Sequence, residues 1–320
     1  MSENIFVTAN EPLSDLSVNI AGVKLRNPVI AASGTFGYGS EYVDLFDISL
    51  LGGICTKALT MIPRTGNSGV RIWETPSGLL NSIGLENPGI HSFLEKELPY
   101  LRQAGPAIIA NLSGAASDEY INGASLLNQS DVDMIELNIS CPNVKEGGMA
   151  FGLDPGTAAA LTAAVRRVCS SKPLMVKLSP NAPSLSAVAL ACVKAGADAL
   201  SLVNTFKAMA IDIENRRPVF DNITAGLSGP AIRPIALRMV WELFDALKEA
   251  MSQVPIVGIG GIACANDAIE FLMAGAAAFQ VGSATFVNPH TMLDIIDGLR
   301  HYMQNKGLSK LGDISLKESL

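Results

Sequence analysis

The chain has 320 residues, 48% of them hydrophobic, and a formal net charge of −7. That acidic balance argues against a nucleic-acid or anionic-membrane face, since both need a basic patch to displace counterions. Met1 to Glu11 is polar without a basic-then-apolar signal pattern, and no apolar run approaches the roughly 20 residues of a membrane span, so a cytoplasmic location is expected.

Leu16 to Arg26 alternates around Ala21-Gly22 and predicts a β-hairpin plugging one end of the fold. Short apolar runs then recur at Pro28 to Ala32, Gly53 to Lys57, Ala107 to Leu112 and Met134 to Asn138. Four more follow at Leu174 to Leu178, Ala199 to Val203, Ile256 to Gly260 and Ala278 to Val281, separated by amphipathic stretches such as Pro155 to Cys169 and Pro234 to Met251. Eight βα units predict an α/β chain forming one domain over residues 1–320, a closed parallel (β/α)8 barrel of the TIM type. Two insertions, Leu59 to Gly89 after the second strand and Phe206 to Gly229 after the sixth, leave from the face where such barrels carry chemistry. Long connections of this kind read as a lid or a partner surface.

The strand ends carry Ser33, Lys57, Asn111, Asn138, Lys177 and Asn204-Thr205. A single Asn there is more often a turn former than a ligand, but several around one rim need another explanation. An amide joins a donor to an acceptor, so Asn81, Asn138, Asn143 and Asn204 suit a ring with alternating N–H and C=O groups, such as a pyrimidine lactam. Lys57 suits an anionic substituent such as a carboxylate, or else a salt bridge. Lys177 on the fifth strand reads either as a Schiff-base amine or as a cation that stabilises an anionic cofactor. Strands seven and eight end in Gly260-Gly261, opening a helix from Ala263 to Ala274, and in Gly282-Ser283. Both are expected to bind a cofactor phosphate. Gly258 to Ala263 also fits the loose G-x-G-x-x-A dinucleotide pattern, but the following strand ends without an acidic ribose ligand, so that match is set aside.

Five cysteines are scattered without a C-x-x-C pair, so no disulfide framework, metal site or iron–sulfur site is expected on this chain. Cys55 falls inside a strand, Cys169 and Cys192 on apolar helix faces, and Cys264 at a helix start among apolar neighbours, where packing is the expected role. Cys141 differs, lying in Asn138-Ile139-Ser140-Cys141-Pro142-Asn143 between a strand and the Gly-rich stretch Gly147 to Gly152. The three histidines lie away from strand ends, which leaves Cys141 as the candidate catalytic group.

Five motifs together resemble the class 1 dihydroorotate dehydrogenases nearly end to end. They are Asn27-Pro28 with Ala32 to Gly39, Asn81 to Leu85, the NISCPN run at 138–143, Val176-Lys177-Leu178, and Gly226 to Pro230. Within the class the chain is most similar to the NAD-linked type 1B catalytic subunits, mainly through GTFGYG at 34–39. The resemblance implies a barrel carrying FMN that oxidises dihydroorotate to orotate in pyrimidine biosynthesis, Cys141 taking the C5 proton while a hydride leaves C6. It implies flavin contacts from Ser33, Lys57, Ala58, Asn111, Asn138 and Lys177, and from Val203, Gly229, Gly260, Gly261, Gly282 and Ser283. It implies substrate contacts from Lys57, Asn81, Ser82, Ile83, Gly84 and Leu85, and from Asn138, Asn143, Asn204 and Thr205. Lys177 is thereby placed on the cofactor side. The resemblance further implies a heterotetramer with an electron-transfer subunit bearing FAD and a 2Fe–2S cluster, which hands electrons to NAD. The alternatives are a type 1A homodimer that uses fumarate directly and, from a different class, a lyase acting through a Lys177 imine.

Overall fold

The computed structural model of the chain describes residues 15–139 and 151–316. It begins with the predicted hairpin, β1 (Val18–Ile20) against β2 (Val23–Leu25), joined by Ala21 and Gly22. Both turn residues have positive φ, which matches the right-handed twist of the two strands. In chain order there follow β3 (Val29–Ala31), β4 (Gly53–Cys55), β5 (Ile72–Thr75), β6 (Gly78–Asn81), β7 (Ala107–Leu112) and β8 (Met134–Asn138). The second half adds β9 (Leu174–Lys177), β10 (Ala199–Leu202), β11 (Phe206–Ala208), β12 (Ile211–Asp212) and β13 (Arg217–Pro218). Last come β14 (Ala225–Ser228), β15 (Ile256–Ile259) and β16 (Ala278–Val281). Strands β3, β4, β7, β8, β9, β10, β15 and β16 pair in parallel and close into a barrel, so all eight predicted barrel strands are present. The predicted helices are also found, slightly shortened or shifted: Pro155–Val168, Arg233–Glu249 and Ala265–Met273.

Because both faces of a parallel barrel strand are covered, the runs look uniformly apolar, yet alternate residues have different destinations. Outward residues such as Ile54, Ala110, Ile135, Val176, Leu200 and Val281 join the large cluster packed under the helices. Inward residues stack in layers along the barrel axis. At the amino-terminal end, Ile30, Ile109, Met134, Met175, Val257 and Ala278 form a separate apolar layer capped by Ile20 and Leu25 of the hairpin. The hairpin is therefore the plug its pattern predicted. Two residues further along the strands the inward positions turn polar, with Asn111, Glu136, Lys177, Ser201 and Gln280 all buried.

The two insertions meet. Strand β6 of the first pairs antiparallel with β14 of the second, Leu80 opposite Leu227, and β5 and β11 extend them to a four-stranded sheet. Leu80, Phe220 and Ala225 give this sheet a small core of its own. Among the described residues no helix is long and apolar enough to cross a membrane.

Leu25 is 1% exposed at the plug. Leu25→Ala is expected to cost about 2–5 kcal/mol through the cavity it leaves, read as a lower urea midpoint with the far-ultraviolet spectrum of the folded state unchanged.

Candidate active site

At the carboxyl ends of the strands, beneath the four-stranded sheet, lies a cavity of about 700 Å³. That size falls within the ~300–1,000 Å³ typical of small-molecule sites. The cavity gathers most of the residues singled out from the sequence. Ser33, Lys57, Ala58, Lys177 and Val203 line it from the barrel strands and their loops. Asn81, Ile83, Gly84 and Leu85 line it from the first insertion, and Asn138, Asn204 and Thr205 from the opposite rim. Gly229, Gly260, Gly261, Gly282 and Ser283 complete the wall. Two expected residues stand behind that wall. Ser82 is 2% exposed, and its hydroxyl accepts from Asn67 Nδ2 at 3.1 Å and Asn222 Nδ2 at 3.3 Å, so it braces the insertions against each other. Asn111 is fully buried below Asn138. Cys141 and Asn143 lie outside the described residues.

The glycine pair after β15 is required by its conformation. Gly260 and Gly261 have φ of +141° and +70°, and a Cβ on Gly261 would approach Gly229 O to 2.6 Å. The pair is thus confined to glycine by its φ and by close packing against Gly229 and Arg233. The expected contribution from a helix start here is corrected by the structure. The helix begins at Ala265, not Ala263, and the Asp267 carboxylate already accepts from the backbone N–H groups of Ala263 and Cys264. The expected packing role of Cys264 is corrected too, since it is exposed and caps this helix. Its apolar neighbours were a misleading guide, because only Ile262 of the two is buried.

Beneath the cavity the polar layer centres on Glu136, which is fully buried and was not singled out from the sequence. Its Oε1 accepts from Ser201 Oγ at 2.8 Å and Gln280 Nε2 at 2.7 Å. Its Oε2 accepts from Cys55 Sγ at 3.1 Å and from Asn111 Nδ2, and lies 3.7 Å from Lys177 Nζ. Burial raises the Glu136 carboxyl, but the Lys177 ammonium and the donors on Cys55, Ser201 and Gln280 outweigh it and hold the group below the ordinary carboxylate range. Burial and the neighbouring carboxylate push the Cys55 thiol well up, so Cys55 is a hydrogen-bond donor and not a nucleophile. Upward from Asn111 a line of amides follows: Asn138 Nδ2 donates to Asn111 Oδ1 at 3.3 Å, and Asn204 Nδ2 reaches Asn138 Oδ1 at 3.5 Å. Tyr120 fixes the same strand end by donating to the Asn138 carbonyl at 2.9 Å.

The family model for dihydroorotate dehydrogenase matches residues 15–303, which include the barrel and the whole cavity wall. The chain belongs to the dihydroorotate dehydrogenase family. It is 58% identical over 300 residues to a protein of Petrotoga mobilis, a match covering 94% of this chain and 98% of the relative. Proteins of Caldicellulosiruptor saccharolyticus and Geotalea daltonii are 51% and 52% identical, each over 94% of this chain and 98% and 97% of their own. All three are named the catalytic subunit of dihydroorotate dehydrogenase B (NAD(+)). The family resemblance expected from the sequence, and with it an oxidoreductase, holds.

In this member of the family the residues missed from sequence are those below the rim. Glu136, Ser201 and Gln280 sit mid-strand, and the available signal was one acid in the otherwise apolar run Met134 to Leu137. Removing its counter-ion tests the layer. Glu136 is depressed in the folded state, so its contribution to stability is present above the unfolded value of about 4.3 and is lost as pH falls through the lower folded value. Lys177→Met leaves the carboxylate buried without its cation, with an expected loss of about 3–5 kcal/mol near neutral pH. The deficit should shrink toward acid pH as Glu136 protonates in the variant, which paired urea titrations at neutral and acid pH would measure.

Proposed function

We propose that this chain is the FMN-dependent catalytic subunit of a dihydroorotate dehydrogenase of pyrimidine biosynthesis, working in the cytoplasm and passing electrons to NAD through a partner subunit that carries FAD and a 2Fe–2S cluster. The observation that carries the reading is one cavity whose floor holds a lysine ion-paired to a buried carboxylate and whose rim presents Asn81, Asn138 and Asn204. The residues fit the flavin. Gly229, Gly260, Gly261, Gly282 and Ser283 offer a close backbone wall for its phosphate, and Lys177 and Asn138 face the cavity where its ring would lie. Bound there, the flavin supplies the acceptor for the hydride leaving C6 of dihydroorotate.

The chain's own residues do the rest. Lys57 holds the substrate carboxylate as a charged donor, while Asn81, Asn138 and Asn204, with Asn143, pair with the lactam edge and orient C5 and C6. Ile83, Gly84, Leu85 and Thr205 close the substrate side, and the sheet built from both insertions excludes water above it. Cys141 takes the C5 proton. It follows the cavity-lining Asn138 by three residues in the sequence, which supports this reading. Ser33, Ala58 and Val203 support the flavin from the strand ends. The names of the relatives as catalytic subunits support a separate electron-transfer subunit, and with it a heterotetramer, over a fumarate-using homodimer. The ion pair at Lys177 weighs against a lyase, because an imine-forming amine needs its lone pair free.

Anaerobic addition of dihydroorotate to the purified yellow chain is expected to bleach the flavin bands with release of orotate; a flavin that stays oxidised would sink the substrate assignment. Cys141→Ser is expected to keep the flavin spectrum and lose about 10²–10⁴-fold in turnover near neutral pH, measured by stopped-flow reduction.

A further inference from the structure

We propose that Glu136 is a positioning residue that fixes which way the site's buried amides face: its acceptor-only oxygens set Asn111, and Asn111 sets Asn138 at the cavity wall. The inference deepens the proposed function and rests on it.

An ionised carboxylate accepts and never donates, whereas an amide side chain can turn either end toward a neighbour. Asn111 touches Glu136 Oε2 and must therefore present Nδ2 to it, which leaves Oδ1 pointing up the barrel. Asn138 meets that oxygen with its own Nδ2 and so turns Oδ1 to the rim, where Asn204 meets it with Nδ2. One buried charge thus sets the donor and acceptor order of Asn111 and, through it, of Asn138, which lines the cavity; Asn204, whose Oδ1 accepts from the Thr205 N–H at 2.8 Å, meets the Asn138 oxygen so oriented. Gln280 shows the strength of the demand. It gives Nε2 to Glu136 at 2.7 Å and leaves its own buried Oε1 without a partner among the described residues. The orientation of these amides matters because a lactam edge distinguishes N–H from C=O, and a flipped amide would set donor against donor.

Glutamine at position 136 would keep the shape and offer both a donor and an acceptor, so that Asn111 and Asn138 could face either way. It would also leave Lys177 without its compensating charge, favouring a reduced, more negative flavin. The test compares flavin-loaded wild type with Glu136→Gln, reading the orotate dissociation constant from the perturbed flavin spectrum and the flavin midpoint potential by dye equilibration. The expected result is orotate binding weakened tenfold or more and a potential raised by at least about 30 mV, which is a tenfold change for a two-electron couple. Orotate affinity within twofold of wild type at an unmoved potential would overturn the proposal. Asn111→Leu cuts the line above the carboxylate while keeping the Glu136 and Lys177 pair. It too should weaken orotate tenfold, and if Glu136→Gln fails to fold, unchanged orotate affinity in Asn111→Leu overturns the proposal by itself. A wild-type protein that holds flavin but does not bind orotate would refute the substrate reading instead, and the potential of Glu136→Gln would still decide on the carboxylate.

Discussion

The ion pair between Glu136 and Lys177 is the constraint around which the upper half of the barrel is arranged. A carboxylate with no exposure is tolerated only when its lone pairs are met, and here four donors and one cation converge on it from β4, β7, β9, β10 and β16. Five strands are thereby held in one register by a single side chain on β8. Replacing so demanding a group by apolar residues would often cost little stability. Its presence is better explained by what it presents upward, a lysine ammonium and an oriented line of amides, than by what it adds to folding.

Above that layer the site is closed by segments distant in sequence. Strand β6 comes from the connection after the second barrel strand and β14 from the one after the sixth, yet their backbones pair residue for residue and Asn81 Nδ2 donates to Gly226 O at 3.2 Å. Neither two-stranded piece would be stable by itself in water. Each insertion therefore depends on the other for its ladder, and the cavity acquires a roof only when the barrel brings both to one rim. Close contact makes this joint intolerant of side chains: a Cβ on Gly78 would meet Ser228 O at 2.1 Å, and one on Gly226 would meet Thr205 Oγ1 at 2.2 Å.

The barrel was legible because each strand is a short apolar run bounded by polar or glycine residues, and the hairpin because Ala21-Gly22 breaks a clean alternation. The rim was legible for a related reason, since residues that end an apolar run, such as Asn138 or Lys177, stand out against it. What lay mid-strand did not stand out. Glu136, Ser201 and Gln280 are each one polar residue inside a run whose neighbours face the helices, and period-two reading along one strand cannot reveal that five such residues share a layer. The pairing of the insertions was hidden as well, because ladder partners separated by about 145 positions leave no local signal. Asn111 shows the middle case. Its strand end marked it as a site residue, but only the three-dimensional register puts it beneath the wall.

Cavity-lining groups of the site stand on the rigid part of the barrel. Asn138 and Lys177 end neighbouring barrel strands and pair with each other, Lys177 is also paired to Ser201 on its other side, and Asn204 follows two residues after β10. Such placement gives the angular precision that hydrogen-bond recognition needs. A base faces a different demand, because it must reach the substrate, exchange its proton with solvent and let product leave. The base proposed for this site, Cys141, comes three residues after Asn138 in the sequence. The buried acid proposed to order the amides and the thiol proposed to move the proton are then only five positions apart in sequence.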